Sequence, residues 1–378
     1  MRTLITSDCH IATPYSVFDE LPETYRRYFP HIEARPDGDY LFQPVPPELA
    51  DLMAAGSANG VKIEGDSAVR AALGATPEAR ASFDPSEVLA DLGRDGVKGA
   101  VLIGAIGKIA ISDAIPIDAE LAYCHLVNDW TAEHWSPYLD RVAPGIVLPC
   151  RDVVAAVAEL ERCAAKGMRP ALLPDGIWDL PYHLAAWEPL WEAASALKVP
   201  ITMHVSGARI PPPRPGESHL YRGLDFVGWY NQCVGMGETL GWLTFTGVFE
   251  RHPDLHVIMT EGYAGWLAFA IQFWDHHWNG RFRSFELLGP DLAAKLEAPP
   301  SYYLKRQAHA TFMWDPMAVE LRHFTGTECL LWGNDYPHRE GSFPWSQQWV
   351  EKQFSDVPET DVDAIVRGNA AKLFGLSV

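Results

Sequence analysis

Aspartate and histidine stand two residues apart near the start of the chain, Asp8 and His10 in the segment SDCHI, where a short apolar run ends. If that run is a strand, its period of two puts both side chains on one face and Cys9 on the other. Such a pair at the end of a strand can ligate a divalent cation. The same residue types recur at later apolar runs. His204 closes ITMH, Glu261 follows VIMT, His309 lies in AHATF, Asp335 closes LLWGND, and His338 stands three residues further on. Taken singly, each has an ordinary structural use, because a strand-end histidine is most often simply hydrogen-bonded in place. Together, Asp8, His10, His204, Glu261, His309, Asp335 and His338 predict a shared metal site. Three carboxylates and four imidazoles exceed what one tetrahedral zinc takes. They suit two divalent ions, or one octahedral ion inside a hydrogen-bonded network, and without thiolate they also suit iron or manganese. His252 and His256 flank the entry to a strand, and the adjacent His276 and His277 diverge by about 100° on a helix. These four read as structural.

Residues so distant in sequence meet only if each sits at the same end of a repeated unit. Apolar runs at 4–7, 99–104, 142–148, 169–173, 200–204, 255–260, 308–312 and 329–333 alternate with helical stretches such as 85–95, 118–138 and 153–166. Eight runs with helices between them predict an α/β fold, a closed (β/α)8 TIM barrel. A doubly wound sheet would need fewer strands and a glycine-rich first turn. In a barrel, chemistry gathers where the strands end, which is where the ligand-type residues cluster. Residues 1–378 read as a single domain. Two segments break the rhythm, a Pro- and Gly-rich insertion at 11–84 after the first strand and an extended loop at 205–223 after the fifth. Both follow strands, so both are expected on the catalytic face as lid or pocket wall.

Composition narrows the possibilities further. Of 378 residues 48% are hydrophobic and 21% charged, enough to bury a large core. A net charge of −19 excludes nucleic acid as a partner, since a phosphate backbone repels an acidic surface. No run reaches the roughly 20 apolar residues of a membrane span, and the first ten residues lack the pattern of a signal peptide. Six scattered cysteines fit a reducing cytoplasm better than a disulfide framework. Trp229, Tyr230, Trp266, Trp332 and Trp345 give the strand ends an aromatic neighbourhood suited to an apolar substrate. Arg209, Arg214 and Arg222 in the loop after the fifth strand are candidates for binding the phosphates of a coenzyme A thioester.

From SDCHI to VRGNAAKLFGL the chain resembles the amidohydrolase-related (amidohydrolase 2) family, most specifically in GVFERHPDLHVIMTEGYAGWL and LLWGNDYPHREGSFPWS. The resemblance implies metal ligands at Asp8, His10, His204 and Asp335. Three departures stand out. The usual H-x-H of the first strand is D-x-H, the fourth strand ends in ALLP without a bridging lysine, and Glu261 replaces the histidine frequent in the decarboxylase branch. The pattern is similar to a branch of nonheme diiron monooxygenases that includes the hydroxylase of platensimycin and platencin diterpenoid biosynthesis. That likeness implies two iron ions, O2, an electron donor, and hydroxylation of a C–H bond of an apolar, CoA-linked or diterpenoid-type substrate. The alternative is a zinc- or manganese-dependent hydrolase or nonoxidative decarboxylase. On either reading Glu261, His309 and His338 are the candidate catalytic acids and bases. Homo-oligomerisation stays open.

Overall fold

The computed structural model describes residues 2–42, 61–62, 75–80, 82–104, 115–177, 180–205, 226–279 and 296–378. Strand β1 (Leu4–His10) comes first, followed in the insertion by β2 (His31–Arg35), β3 (Gly38–Phe42) and β4 (Val61–Lys62). The remaining strands are β5 (Val97–Ile103), β6 (Val142–Pro144), β7 (Ile146–Val147), β8 (Ala171–Pro174), β9 (Ile201–His204), β10 (Val257–Thr260), β11 (Ala308–Phe312) and β12 (Leu330–Trp332). Parallel pairing runs β1-β5-β6 and, separately, β7-β8-β9-β10-β11-β12. Two seams join these sheets into the eight-position barrel.

The first seam lies at Gly145. The run at 142–148, expected as one strand, breaks there into β6 and β7. Gly145 N donates to the Leu102 carbonyl (2.9 Å), and Ile146 N donates to the Pro170 carbonyl (2.7 Å). A Cβ at Gly145 would lie 2.6 Å from Leu172 and 2.7 Å from the Leu102 carbonyl, so only glycine lets the chain change partners there. The second seam closes the barrel beside the future site. Asn334 N donates to Thr6 Oγ1 (2.9 Å), Asp335 N to the Asp8 carbonyl (3.0 Å), and His10 N to the Tyr336 carbonyl (2.6 Å).

Strands covered on both faces read as nearly continuous apolar runs, as VKGAVLI and ALLP do here. Ile5, Val101, Leu172, Ile258 and Leu331 come from strands around the whole barrel yet form one buried cluster, so they fill its interior. Their neighbours Leu4, Leu102, Leu173, Met203 and Val257 belong to a second cluster that also holds helix residues such as Leu160, Trp187 and Trp191. Each fully buried aliphatic side chain contributes about 1.5–3 kcal/mol relative to exposure. Asp84 and Asp152 begin helices Pro85–Arg94 and Val153–Ala164 by accepting from Ser86 N (2.7 Å) and Ala155 N (3.0 Å). Among the described residues no helix is long and apolar enough to cross a membrane.

The described parts of the insertion are ordered around this barrel. Strands β2, β3 and β4 form an antiparallel sheet. Phe18 and Phe29 stack on Tyr123 of helix Ile117–Trp135, at 5.5 and 4.8 Å between ring centroids. The segment returning to the barrel bridges Ala75 to His338, and Thr76 N donates to the Pro337 carbonyl (2.7 Å). One end of the insertion is thereby fixed to the loop that carries His338. Residues 206–225, most of the extended loop expected after the fifth strand position, lie outside the described residues.

Candidate metal centre

Three strand ends bring four donors together. His10 Nε2 lies 3.3 Å from Asp8 Oδ1, 3.2 Å from Asp335 Oδ1 and 3.2 Å from His204 Nε2. His204 Nε2 is 3.6 Å from Asp8 Oδ1. Two donors each about 2.1 Å from one ion, and 90–110° apart around it, stand roughly 3.0–3.4 Å from each other. That spacing holds within the group Asp8, His10 and His204, while Asp335 joins His10 and His338 in a second, overlapping group of donors. Asp8 Oδ1 and Asp335 Oδ2 are buried without a hydrogen-bond donor in proper geometry, a deficit that a cation between the carboxylates would fill. His204 Nδ1–H donates to the Val205 carbonyl (2.7 Å), which leaves the Nε2 lone pair facing the other donors. His338 Nδ1–H donates to Asp335 Oδ1 (2.8 Å), and its ring lies 4.0 Å from that of His10. The donor set therefore fits a divalent metal ion.

Glu261 borders this group, with Oε2 3.4 Å from His204 Nε2. Its backbone N–H donates to Thr311 Oγ1 (2.9 Å). Asp8, Glu261, Tyr263, Thr311, Phe312, Met313 and Gly333 line one cavity. Three of the left-handed non-glycine residues fall here, Glu261 (φ 61°), Tyr263 (φ 55°) and Asp335 (φ 52°). Each costs roughly 1–2 kcal/mol, strain that persists where surrounding contacts fix the backbone. The exposed Glu340 was not foreseen, since no spacing rule marks it. Its carboxylate can share a cation with Glu261 and Asp335.

The charges explain one another. Burial alone would push His10 down, but hydrogen bonds to Asp335 and Asp8 outweigh it and raise the imidazole to about 9. His204 rises to about 9 in the same way, mainly through Asp8. Against the same desolvation, these imidazoles hold Asp8 and, with His338, Asp335 below the usual carboxylate range. Burial pushes Glu261 the other way, up to about 8, with Asp335 adding repulsion. Without a cation the cluster balances its carboxylates with protonated imidazoles; a divalent ion displaces those protons.

The structure does not bring His309 to this group, which corrects its expected role as ligand and catalyst. Register pairs His309 with Ile258 and Ile258 with Thr202, two residues below the His204–Thr260 pair at the mouth. At about 3.3 Å per residue, that leaves it roughly 6–7 Å too deep. Thr311 occupies the mouth level of β11 instead. His309 Nδ1–H donates to the Glu328 carbonyl (3.1 Å), so its Nε2 accepts from His256 Nδ1–H (3.0 Å) and both rings are neutral. Burial, aided by His256, lowers His309 to about 3. Because the folded value lies below the unfolded one near 6.5, its contribution is complete above pH 6.5 and fades as pH falls toward 3. Unfolding in denaturant should show a loss of about 2 kcal/mol between pH 7 and pH 5, and His309→Gln should abolish that portion. Equal losses in both proteins would remove the assignment.

Other expected contacts are placed differently. Trp266 donates its indole N–H to the Gly262 (2.9 Å) and Tyr263 (3.1 Å) carbonyls, which makes it a brace behind the turn and not a cavity wall. Trp332 is buried in the core, while Tyr230 and Trp345 are exposed. Arg209, Arg214 and Arg222 lie outside the described residues, as does the side chain of Trp229.

Known proteins were compared with this chain. It is 25% identical over 270 residues to a γ-resorcylate decarboxylase of Polaromonas sp., covering 66% of this chain and 75% of the relative. A solved amidohydrolase of Mycobacterium avium subsp. paratuberculosis superposes with a TM-score of 0.71 at 18% identity, over 100% of this chain and 98% of the other. A 5-carboxyvanillate decarboxylase of Novosphingobium aromaticivorans, complexed with manganese and 4-hydroxy-3-methoxy-5-nitrobenzoic acid, gives 0.69 at 16% identity, over 99% and 96%. These relatives overturn the expected diiron monooxygenase and its place in diterpenoid antibiotic biosynthesis, because the curated relatives that the chain matches are decarboxylases. The physical basis of that expectation also weakens, since the seven-residue set loses His309. A family model described as Amidohydrolase matches residues 108–376, well over half of the sequence, and the chain belongs to that family.

Proposed function

We propose that the protein is a divalent-metal-dependent, nonoxidative decarboxylase of a hydroxylated aromatic carboxylic acid. The observation that carries this reading is the donor group of Asp8, His10 and His204, joined through His10 to Asp335, at the edge of a cavity that Glu261 also lines. Similarity to decarboxylases of single-ring acids supports it. Pro174 stands beside His204 in the β8–β9 register, where a lysine bridging two ions would end β8. Manganese is the ion we assign, with zinc as the alternative.

When bound, the ion supplies Lewis-acid polarisation of the substrate's oxygens. His338 orients the Asp335 carboxylate by donating to Oδ1. Phe312 and Met313 give the cavity an apolar wall against which a ring packs and water is excluded. The reaction breaks the bond between ring and carboxylate, releases CO2, and puts a proton on the ring carbon left behind. Glu261 lines the same cavity and is the residue placed to hold that proton and deliver it.

Manganese-loaded protein under nitrogen is expected to convert 2,6-dihydroxybenzoate to CO2 and resorcinol. In deuterated water one deuterium should enter the ring at the vacated carbon. Turnover that requires O2, or none on any hydroxybenzoate with manganese or zinc, overturns the reading.

A further inference from the structure

Beyond β10 the chain makes a turn that its own sequence resists. Glu261 and Tyr263 both take left-handed backbone conformations (φ 61° and 55°), which non-glycine residues seldom adopt. Between them, a Cβ at Gly262 would come within 2.3 Å of Met236 Sδ, so the turn rests directly on helix Phe226–Phe245. Hydrogen bonds hold it from behind. Asp315 Oδ2 accepts from Ala264 N and Gly265 N (2.8 Å each), while its Oδ1 accepts from Ala318 N (2.9 Å) at the start of helix Pro316–Glu320. Trp266 and Thr311 hold the turn's other backbone groups, the carbonyls of Gly262 and Tyr263 and the N–H of Glu261. A strained conformation fixed this firmly points to the side chains it presents.

Two of those side chains line the cavity, Glu261 and Tyr263. Around them Phe312, Met313 and Gly333 offer no polar side chain, Asp8 belongs to the donor group, and Thr311 Oγ1 is engaged by the Glu261 N–H (2.9 Å). The Tyr263 side chain is partly exposed (38%), and its hydroxyl makes no hydrogen bond among the described residues. The cavity thus holds a phenol, rigidly mounted and uncommitted, next to the Glu261 carboxyl. In an aromatic acid with hydroxyls on both sides of its carboxylate, one cation can chelate a carboxylate oxygen and one hydroxyl, and the other hydroxyl lies on the far side of the carboxylate.

We propose that Tyr263 determines substrate specificity by donating its phenolic hydrogen to the substrate oxygen that the metal does not hold, so that the site selects ring acids bearing hydroxyls on both flanking carbons. This rests on the decarboxylase reading. Because a cleavable ligand would turn over, the test uses nitro analogues of the carboxylate, 2-nitroresorcinol with two flanking hydroxyls and 2-nitrophenol with one. Calorimetric titration of manganese-loaded protein should show the wild type preferring 2-nitroresorcinol by about tenfold, the scale of a well-placed hydrogen bond. In Tyr263→Phe that preference should shrink to less than about twofold, with manganese content and 2-nitrophenol affinity unchanged. A preference that survives in Tyr263→Phe overturns the proposal. So does equal weakening of both ligands or loss of manganese, either of which would make the residue merely structural. If neither compound binds the wild type, the decarboxylase reading itself fails and takes this one with it.

Discussion

Replacing His10 with alanine is expected to strip the bound divalent ion and lower kcat/KM by about 10³-fold or more. His10 Nε2 is the hub of the donor group, within 3.2–3.3 Å of Asp8, Asp335 and His204. Removing it deletes a ligand and leaves two buried carboxylates, Asp8 and Asp335, each short of one imidazole partner. Charge repulsion between them then works against the apo fold while the ion loses a donor. Neighbouring histidines set the scale. His338 acts through Asp335, so His338→Gln should keep the ion but weaken its binding by about 10–100-fold. His309 faces His256 at the far end of the barrel interior, so His309→Gln should leave metal content unaltered. Elemental analysis after dialysis, with circular dichroism to verify folding, reads all three. A full complement of ion in folded His10→Ala would place the metal elsewhere.

The failed expectation for His309 shows where sequence reasoning stops. Asp8, His10, His204 and Asp335 were legible because each closes an apolar run, and parallel strands in a barrel share one functional end. His309 does not close its run: it is the second residue of 308–312, near the entry end of the strand. In the structure β11 extends to Phe312, and its register with β10 puts His309 level with Ile258. Gly145 poses a similar case, since the change of strand partner depends on Leu172 and Leu102, which contact it from other strands. Tyr263 was invisible for a different reason. Its role depends on a left-handed turn braced by Asp315, more than fifty residues away, and nothing local in EGYAG predicts that brace. Function was less legible still. Ligand types name the ions a site accepts, but the bond that breaks depends on what lines the cavity beside them. Counting His309 among the donors enlarged the set toward two metals, and with it the oxygenase reading.

The proton-delivery role makes the second large prediction. Glu261→Gln should lower kcat by about 10²–10⁴-fold, the usual worth of a positioned general acid, while KM and manganese content stay near the wild-type values. Glutamine preserves the side chain's size, and the Thr311 contact is made by the backbone N–H of residue 261, so the turn keeps its anchor. What disappears is a carboxyl group able to carry a proton to the ring carbon. Glu261→Asp keeps the acid but draws it back by one methylene, and should retain an intermediate rate. The pattern separates two roles that the 3.4 Å approach to His204 leaves adjacent. A residue acting mainly as a metal ligand would lose ion together with rate, and added manganese would restore activity. A proton donor loses rate with the ion in place, and no concentration of manganese recovers it. Wild-type kcat in Glu261→Gln would assign the proton to another group in the cavity. A rate loss rescued by manganese would move Glu261 into the coordination sphere.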